Sequence, residues 1–114
     1  MANPNTFPVG NIKASWVLSP TLTPASVAPG TAEQTFTITG LQVGDFIDTA
    51  KPTSQAYISL GNSRVSAANT LALQYVNSST GTLTPTAAEV YSVVVTRPDN
   101  LNSTGTGALL TQIT

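Results

Sequence analysis

Short β-prone runs, separated by Pro and Gly at regular spacing, are the feature that most constrains the fold of this chain. Residues 33–39 (EQTFTIT), 70–77 (TLALQYVN) and 90–96 (VYSVVVT) are rich in β-branched, aromatic and aliphatic side chains. In the first run Phe36 and Ile38 share one face, and threonines occupy the other, which is typical of a half-buried strand. Turn residues recur at roughly 8–12-residue spacing, and no window shows sustained helical periodicity. The pattern predicts an all-β fold, a single antiparallel β-sandwich of jelly-roll type.

Turn signals between these runs predict the local connections. Gly44 and Asp45 form a turn-like pair, and residues 51–54 (KPTS) predict a loop. Residues 61–63 (GNS) predict a turn between two short strands, and residues 68–69 predict a tight turn before the strong run at 70–77.

The 114 residues predict one domain with an extension at each end. Residues 1–14, rich in Pro and Asn, predict an extended N-terminal arm, residues 15–97 the β-sandwich domain, and residues 98–114 a C-terminal tail. The arm is either a frayed terminus or a strap that docks on a neighbouring subunit. The apolar residues that such a strap would use are Phe7, Val9 and Ile12.

Composition excludes most chemistry near neutral pH. The chain has no His and no Cys, only nine charged side chains, and 19 Thr. A Ser-His-Asp triad, a disulfide framework and a thiolate metal site are therefore excluded. A net charge of −1 without a basic cluster predicts neither a nucleic-acid nor a membrane partner. We expect no cofactor, no metal and no enzymatic activity.

The few remaining charged candidates have ordinary interpretations. Asp45 and Asp48 are the closest carboxylate pair, and they would carry glycoside hydrolysis or a calcium site only if a turn brought them together. Asp45 after a glycine is better explained as a turn former, and Lys51 as a solvated charge. Asn77 and Asn102 begin acceptor sequons that we interpret as chance in a Ser- and Thr-rich chain.

The run at 90–96 is apolar on both faces, because Val90 and Val94 oppose the face of Tyr91, Val93 and Val95. A strand with two apolar faces is covered on both sides, and in a small sandwich the second cover is a further subunit. Arg is enriched at interfaces, and one Arg ends this run. The residues predicted for self-association are Tyr91, Val94 and Arg97.

The stretch from residue 22 to residue 97 resembles a small β-sandwich module of tailed-phage virion proteins. The likeness covers about two thirds of the chain. It is carried by the segments PASVAPGT (24–31), TFTITG (35–40), VGD (43–45), RVSAANTL (64–71) and YSVVV (91–95), with Asn77, Gly81 and Thr84-Pro85. The module occurs in head-decoration (cement) proteins, head fibres and related virion attachments.

The resemblance implies a structural protein on the capsid exterior, assembled as a homotrimer, whose partners are itself and the major capsid protein. On this interpretation, the arm residues Phe7, Val9 and Ile12 are the residues predicted for capsid docking. Before assembly the protein would reside in the host cytoplasm. The alternative is a fibre or adhesin domain that recognises host-surface glycan through loops near Tyr57, Asn62 and Ser79. A polysaccharide-degrading enzyme that uses Asp45 and Asp48 is the third hypothesis.

Overall fold

A computed structural model describes residues 12–98, and the fold in this range is all-β, as the sequence predicts. Every strand pairing is antiparallel. In this part of the chain no helix is long and apolar enough to cross a membrane. The strands are β1 (Ile12–Leu18), β2 (Thr21–Leu22), β3 (Gly30–Thr37), β4 (Phe46–Ala50), β5 (Ile58–Ala67), β6 (Thr70–Asn77), β7 (Glu89–Val90) and β8 (Ser92–Pro98).

Two three-stranded sheets make up most of the fold. The front sheet has the order β1-β8-β4, and the back sheet has the order β3-β6-β5. The short pair β2-β7 continues the β1-β8 pair, because the amide of Tyr91 donates to the carbonyl of Pro20 at 2.8 Å between the two pieces. The front sheet therefore has β1 and β4 as its edges.

Both sheets contribute side chains to one hydrophobic core. Leu71, Leu73 and Tyr75 of β6 are fully buried, as are Val93 and Val95 of β8, so alternate residues of each strand face inward as predicted. The cluster is completed from the other strands and loops by Leu22, Val27, Leu41, Ile58, Val65 and Tyr91.

The turn predicted at 61–63 is wrong, because β5 runs unbroken through it. The β5-β6 register shifts between Leu60 and Ser63, so β5 has one extra residue there and forms a bulge. A Cβ at Gly61 would collide with the side-chain amide of Gln74, which accepts a hydrogen bond from the Asn62 amide at 3.0 Å. The glycine permits this close approach, and it marks a bulge rather than a turn.

Strand β4 has no counterpart among the predicted strands. Only Ile47 of its larger apolar residues packs against the core, whereas Phe46 is 65 % exposed, so the run lacks the usual pattern. The preceding turn is confirmed: the amide of Asp45 donates to the Gln42 carbonyl at 3.1 Å, and Gly44 adopts a φ of +100°. The tight turn before β6 is also confirmed, with Asn69 at a φ of +61°.

The described range covers the predicted β-sandwich and little of the two predicted extensions. Strand β1 begins at Ile12, inside the range predicted for the arm, and β8 ends at Pro98. Residues 1–11 and 99–114 lie outside the described residues.

Candidate functional site

The outer face of the front sheet carries the largest exposed apolar side chains of any described sheet face. Because Tyr91, Val93 and Val95 point into the core, the alternate residues of β7 and β8 point outward. Val94 is 38 % exposed in the central strand, and Val90 is 53 % exposed just before it. This confirms that both faces of the 90–96 run are apolar, and no other element of residues 12–98 covers the outer face.

Strand register extends this face to both edges of the sheet. Val94 lies between Val17 of β1 and Asp48 of β4, and Thr96 lies between Ser15 and Phe46. Val17 and Phe46 are 64 % and 65 % exposed. The Ser15 and Thr96 hydroxyls are 3.3 Å apart and hydrogen-bonded. The face therefore combines exposed aliphatic and aromatic groups with hydroxyls, which suits a hydrated contact with another protein surface.

Of the three residues predicted for self-association, only Val94 lies on this face. Tyr91 is fully buried, and its hydroxyl is 3.0 Å from that of Tyr75, so it joins the two sheets inside the core. Burial, followed by this hydrogen bond, raises the pKa of Tyr75. Alternation had grouped Tyr91 with Val93 and Val95 but could not say which face points inward.

Arg97 is engaged within its own chain. Its Nε and Nη2 donate to the two carboxylate oxygens of Asp45, each at 2.8 Å, and Nη2 also donates to the Gly40 carbonyl at 2.7 Å. The guanidinium carbon lies 4.9 Å from the centroid of the Trp16 ring. The described guanidinium contacts therefore lie within one chain, where Arg97 ties the end of β8 to β1 and to the β3-β4 connection. Its role in self-association stays a prediction.

The two carboxylates considered for catalysis have different surroundings. The Asp45 side chain is only 2 % exposed, and the hydrogen bonds from Arg97 lower its pKa, helped by the Gln42 amide and opposed by burial. Asp48 is exposed on the outer face of the front sheet. In residues 12–98 no group of three or more His, Cys, Asp or Glu side chains could hold a metal ion. The arrangement supports the turn-forming role of Asp45.

A second internal ion pair joins Lys51 to Glu89. Lys51 Nζ lies 2.8 Å from Glu89 Oε1, and the two side chains are 8 % and 9 % exposed, so the prediction of a solvated Lys51 is wrong. Lys51 also donates to the Thr53 carbonyl and hydroxyl, and the Thr53 hydroxyl donates to Glu89. The hydrogen bond from Lys51, followed by that from Thr53, lowers the pKa of Glu89. Sequence offered no signal for this pair, since Lys51 follows β4 and Glu89 lies on β7, far apart in the chain.

The residues predicted for capsid docking fall mostly outside the described range. Phe7 and Val9 lie among residues 1–11. Ile12 is half-buried at the first position of β1, opposite Pro98.

The loop residues of the glycan hypothesis do not share one surface environment. Tyr57 is 62 % exposed with a φ of +67°, and its carbonyl accepts a hydrogen bond from the Ser78 amide at 2.9 Å. Asn62 lies in the β5 bulge, and Ser79 donates its hydroxyl to Asn77 Oδ1 at 2.7 Å. Tyr57 is thus the one of the three that presents an aromatic ring to solvent.

The Asn77 sequon has a structural role. Its side-chain amide donates to the carbonyls of Val27 and Gly81 at 2.9 and 2.8 Å, and its oxygen accepts from the Ser79 amide at 2.9 Å. Asn77 is 2 % exposed. The side chain therefore organises the loop after β6 and is not available for glycosylation in this fold.

No protein-family model, curated protein or solved structure matches this chain.

Proposed function

We propose that the protein is a capsid decoration (cement) protein of a tailed phage, which assembles as a homotrimer and binds the outside of the head. The observation that carries the proposal is the outer face of the front sheet, where Val17 and Val94 are exposed as cross-strand neighbours and Phe46 is exposed one outward position further along, beside Thr96. A sheet face that exposes several large apolar side chains marks a contact with another protein. The resemblance of residues 22–97 to virion modules supports this kind of assembly.

The strand pairing supports the finer fold, a β-sandwich of jelly-roll type. The first strand pairs with the last, the second with the seventh, and the third with the sixth. A chain that folds back at its middle and then winds up as a double ribbon produces this nested set of pairs. Two further pairings, β4 with β8 and β5 with β6, complete the front and back sheets.

The chemistry of the described residues fits a mechanical role. Of the four acids in residues 12–98, three are each held by a cation of the same chain: Glu33, Asp45 and Glu89. A group held in this way is poorly placed for proton transfer to a substrate. A decoration protein stabilises the head because it binds only the assembled shell, so each bound subunit shifts the equilibrium toward that shell. Its major partner would be the capsid protein.

The direct test uses heads of the encoding phage made with this gene disrupted. Purified protein is added to these heads, binding is measured by co-sedimentation, and the temperature of head disruption is recorded with and without protein. We expect saturable binding and a higher disruption temperature. Absence of the protein from wild-type particles, together with no binding to the heads made without it, would contradict the proposal.

A fibre or adhesin domain that binds host-surface glycan is the second candidate, and Tyr57 is the observation that favours it. The Tyr57 ring is exposed, and the backbone of this residue is strained by its positive φ. Backbone strain of this kind is found at ligand sites. Its ring could stack on a sugar. Binding on a glycan array that Tyr57→Ala abolishes and Tyr57→Phe retains would support this candidate; no binding by the wild type would end it.

A further inference from the structure

Almost every described charge is neutralised within its own chain. Residues 12–98 contain eight charged side chains, and six of them form three ion pairs: Lys51–Glu89, Arg64–Glu33 and Arg97–Asp45. The two that take part in no described ion pair are Lys13 and Asp48. Both are exposed, and they have opposite charge.

These two charges lie on opposite edges of the front sheet. Lys13 lies on β1, two positions before Ser15, whereas Asp48 lies on β4 beside Val94. The central strand β8 separates the two edges. The charges are therefore placed to meet partners on two different sides of the subunit rather than each other.

Each edge also carries one large exposed apolar side chain. On β1 Lys13 is followed by Val17, which is 64 % exposed, and on β4 Asp48 is preceded by Phe46, which is 65 % exposed. Each edge thus carries one apolar side chain and one charged side chain, and the two charges have opposite sign. A second copy of this chain is the partner that this pattern fits, because one edge offers what the other lacks.

We propose that copies of this chain associate head to tail, with the Lys13–Val17 edge of one copy against the Phe46–Asp48 edge of the next. The inference rests on the proposed self-assembly and specifies its contact. When the contact is edge to edge, one neighbour covers only one edge, so each copy needs two neighbours. A contact between two different patches closes into a ring when the rotation between copies allows it, and a homotrimer is the smallest such ring.

The test is a charge exchange across the contact, read by sedimentation equilibrium. Lys13→Glu places two acids at the contact, and Asp48→Lys places two lysines there. We expect each single variant to raise the concentration for half-dissociation at least about tenfold. The double variant Lys13→Glu/Asp48→Lys restores opposite charges and should return assembly to the wild-type range. Both positions are exposed, so we expect the variants to fold, and circular dichroism checks that each of them does.

Arg64→Glu is the matched control. It reverses an exposed charge on the back sheet, where the partner Glu33 belongs to the same chain, so assembly should not change. Assembly of the wild type with no effect of either single variant would overturn the head-to-tail contact and leave the proposed function standing. A double variant that assembles no better than the single ones, or a wild-type mass of two chains, would also overturn it. A wild type with the mass of one chain would contradict the proposed self-assembly itself.

Discussion

The outer faces of the two sheets have opposite characters. On the back sheet, Arg64 of β5 donates to both carboxylate oxygens of Glu33 of β3, at 2.8 and 2.7 Å. This pair spans the central strand β6, where Ala72 is fully buried although it points away from the core. On the front sheet the central Val94 is 38 % exposed between an exposed valine and an exposed aspartate.

The two faces differ in whether their apolar side chains are covered by residues of the same chain. The back face covers its own small apolar centre with a polar pair from the same chain. The front face leaves aliphatic and aromatic groups in water, where their burial by another molecule is favourable by about 25 cal/mol per Å². We therefore assign assembly to the front face and solvent exposure to the back face.

The largest expected effect comes from a charge at the centre of the front face. Val94→Asp places a carboxylate beside both edges of the proposed contact, because Val94 lies between Val17 and Asp48, and an unpaired buried charge costs several kcal/mol. Half-dissociation should move to a concentration about 100-fold higher or more. Sedimentation velocity measures this shift.

Thr35→Asp is the matched control on the back face, where an added carboxylate should leave assembly unchanged. Equal loss of assembly in both variants would break the distinction between the two faces.

A smaller effect is expected inside the core. Tyr91→Phe removes one hydroxyl and leaves the buried Tyr75 hydroxyl without its partner, which should lower the free energy of unfolding by about 1–3 kcal/mol. Urea unfolding measures this loss. Because Tyr91 belongs to the core and not to the outer face, the assembled mass should be that of the wild type; loss of assembly with unchanged stability would return Tyr91 to the interface.

The Arg97–Asp45 pair predicts a dependence of stability on pH. The pKa of Asp45 is lower in the folded chain than its usual value of 3.8, so its contribution is fully present above that value and is lost as pH falls through the lowered pKa. The unfolding free energy should therefore fall from about pH 5 to pH 2. Asp45→Asn should show a shallower fall, measured by urea unfolding across that range. Profiles of equal slope would show that another group dominates.

The smallest effect is expected on the outer face of the back sheet. Arg64→Ala removes an ion pair whose side chains are 52 % and 36 % exposed, and pairs in water contribute little. Its thermal midpoint should lie close to that of the wild type at moderate salt. A drop as large as that of Tyr91→Phe would show that the back face depends on this pair far more than its exposure indicates.

Local alternation carried most of what could be predicted of this fold. The inward faces of β6 and β8 follow from the spacing of Leu71, Leu73 and Tyr75, and of Val93 and Val95. Strand β4 could not be found in this way, because Phe46, its largest apolar residue, points to the exposed side. The β5 bulge could not be predicted either, because a glycine such as Gly61 is as typical of a turn as of a bulge where another side chain approaches the backbone closely.

The candidate site was predicted in part. The second apolar face of the 90–96 run indicated an uncovered surface and correctly included Val94. The pairing of Arg97 with Asp45 joins residues that are far apart in sequence, so it depends on how the front sheet and the β3-β4 connection meet. For the same reason, the burial of Lys51 against Glu89 has no local signature.

Sedimentation equilibrium of the wild-type protein over a wide concentration range tests the central claim most directly. The account predicts a mass three times the 11.7 kDa of one chain, with dissociation only on dilution. A mass of one chain at every concentration would contradict it, because the front face would then be stable in water without any cover from another copy.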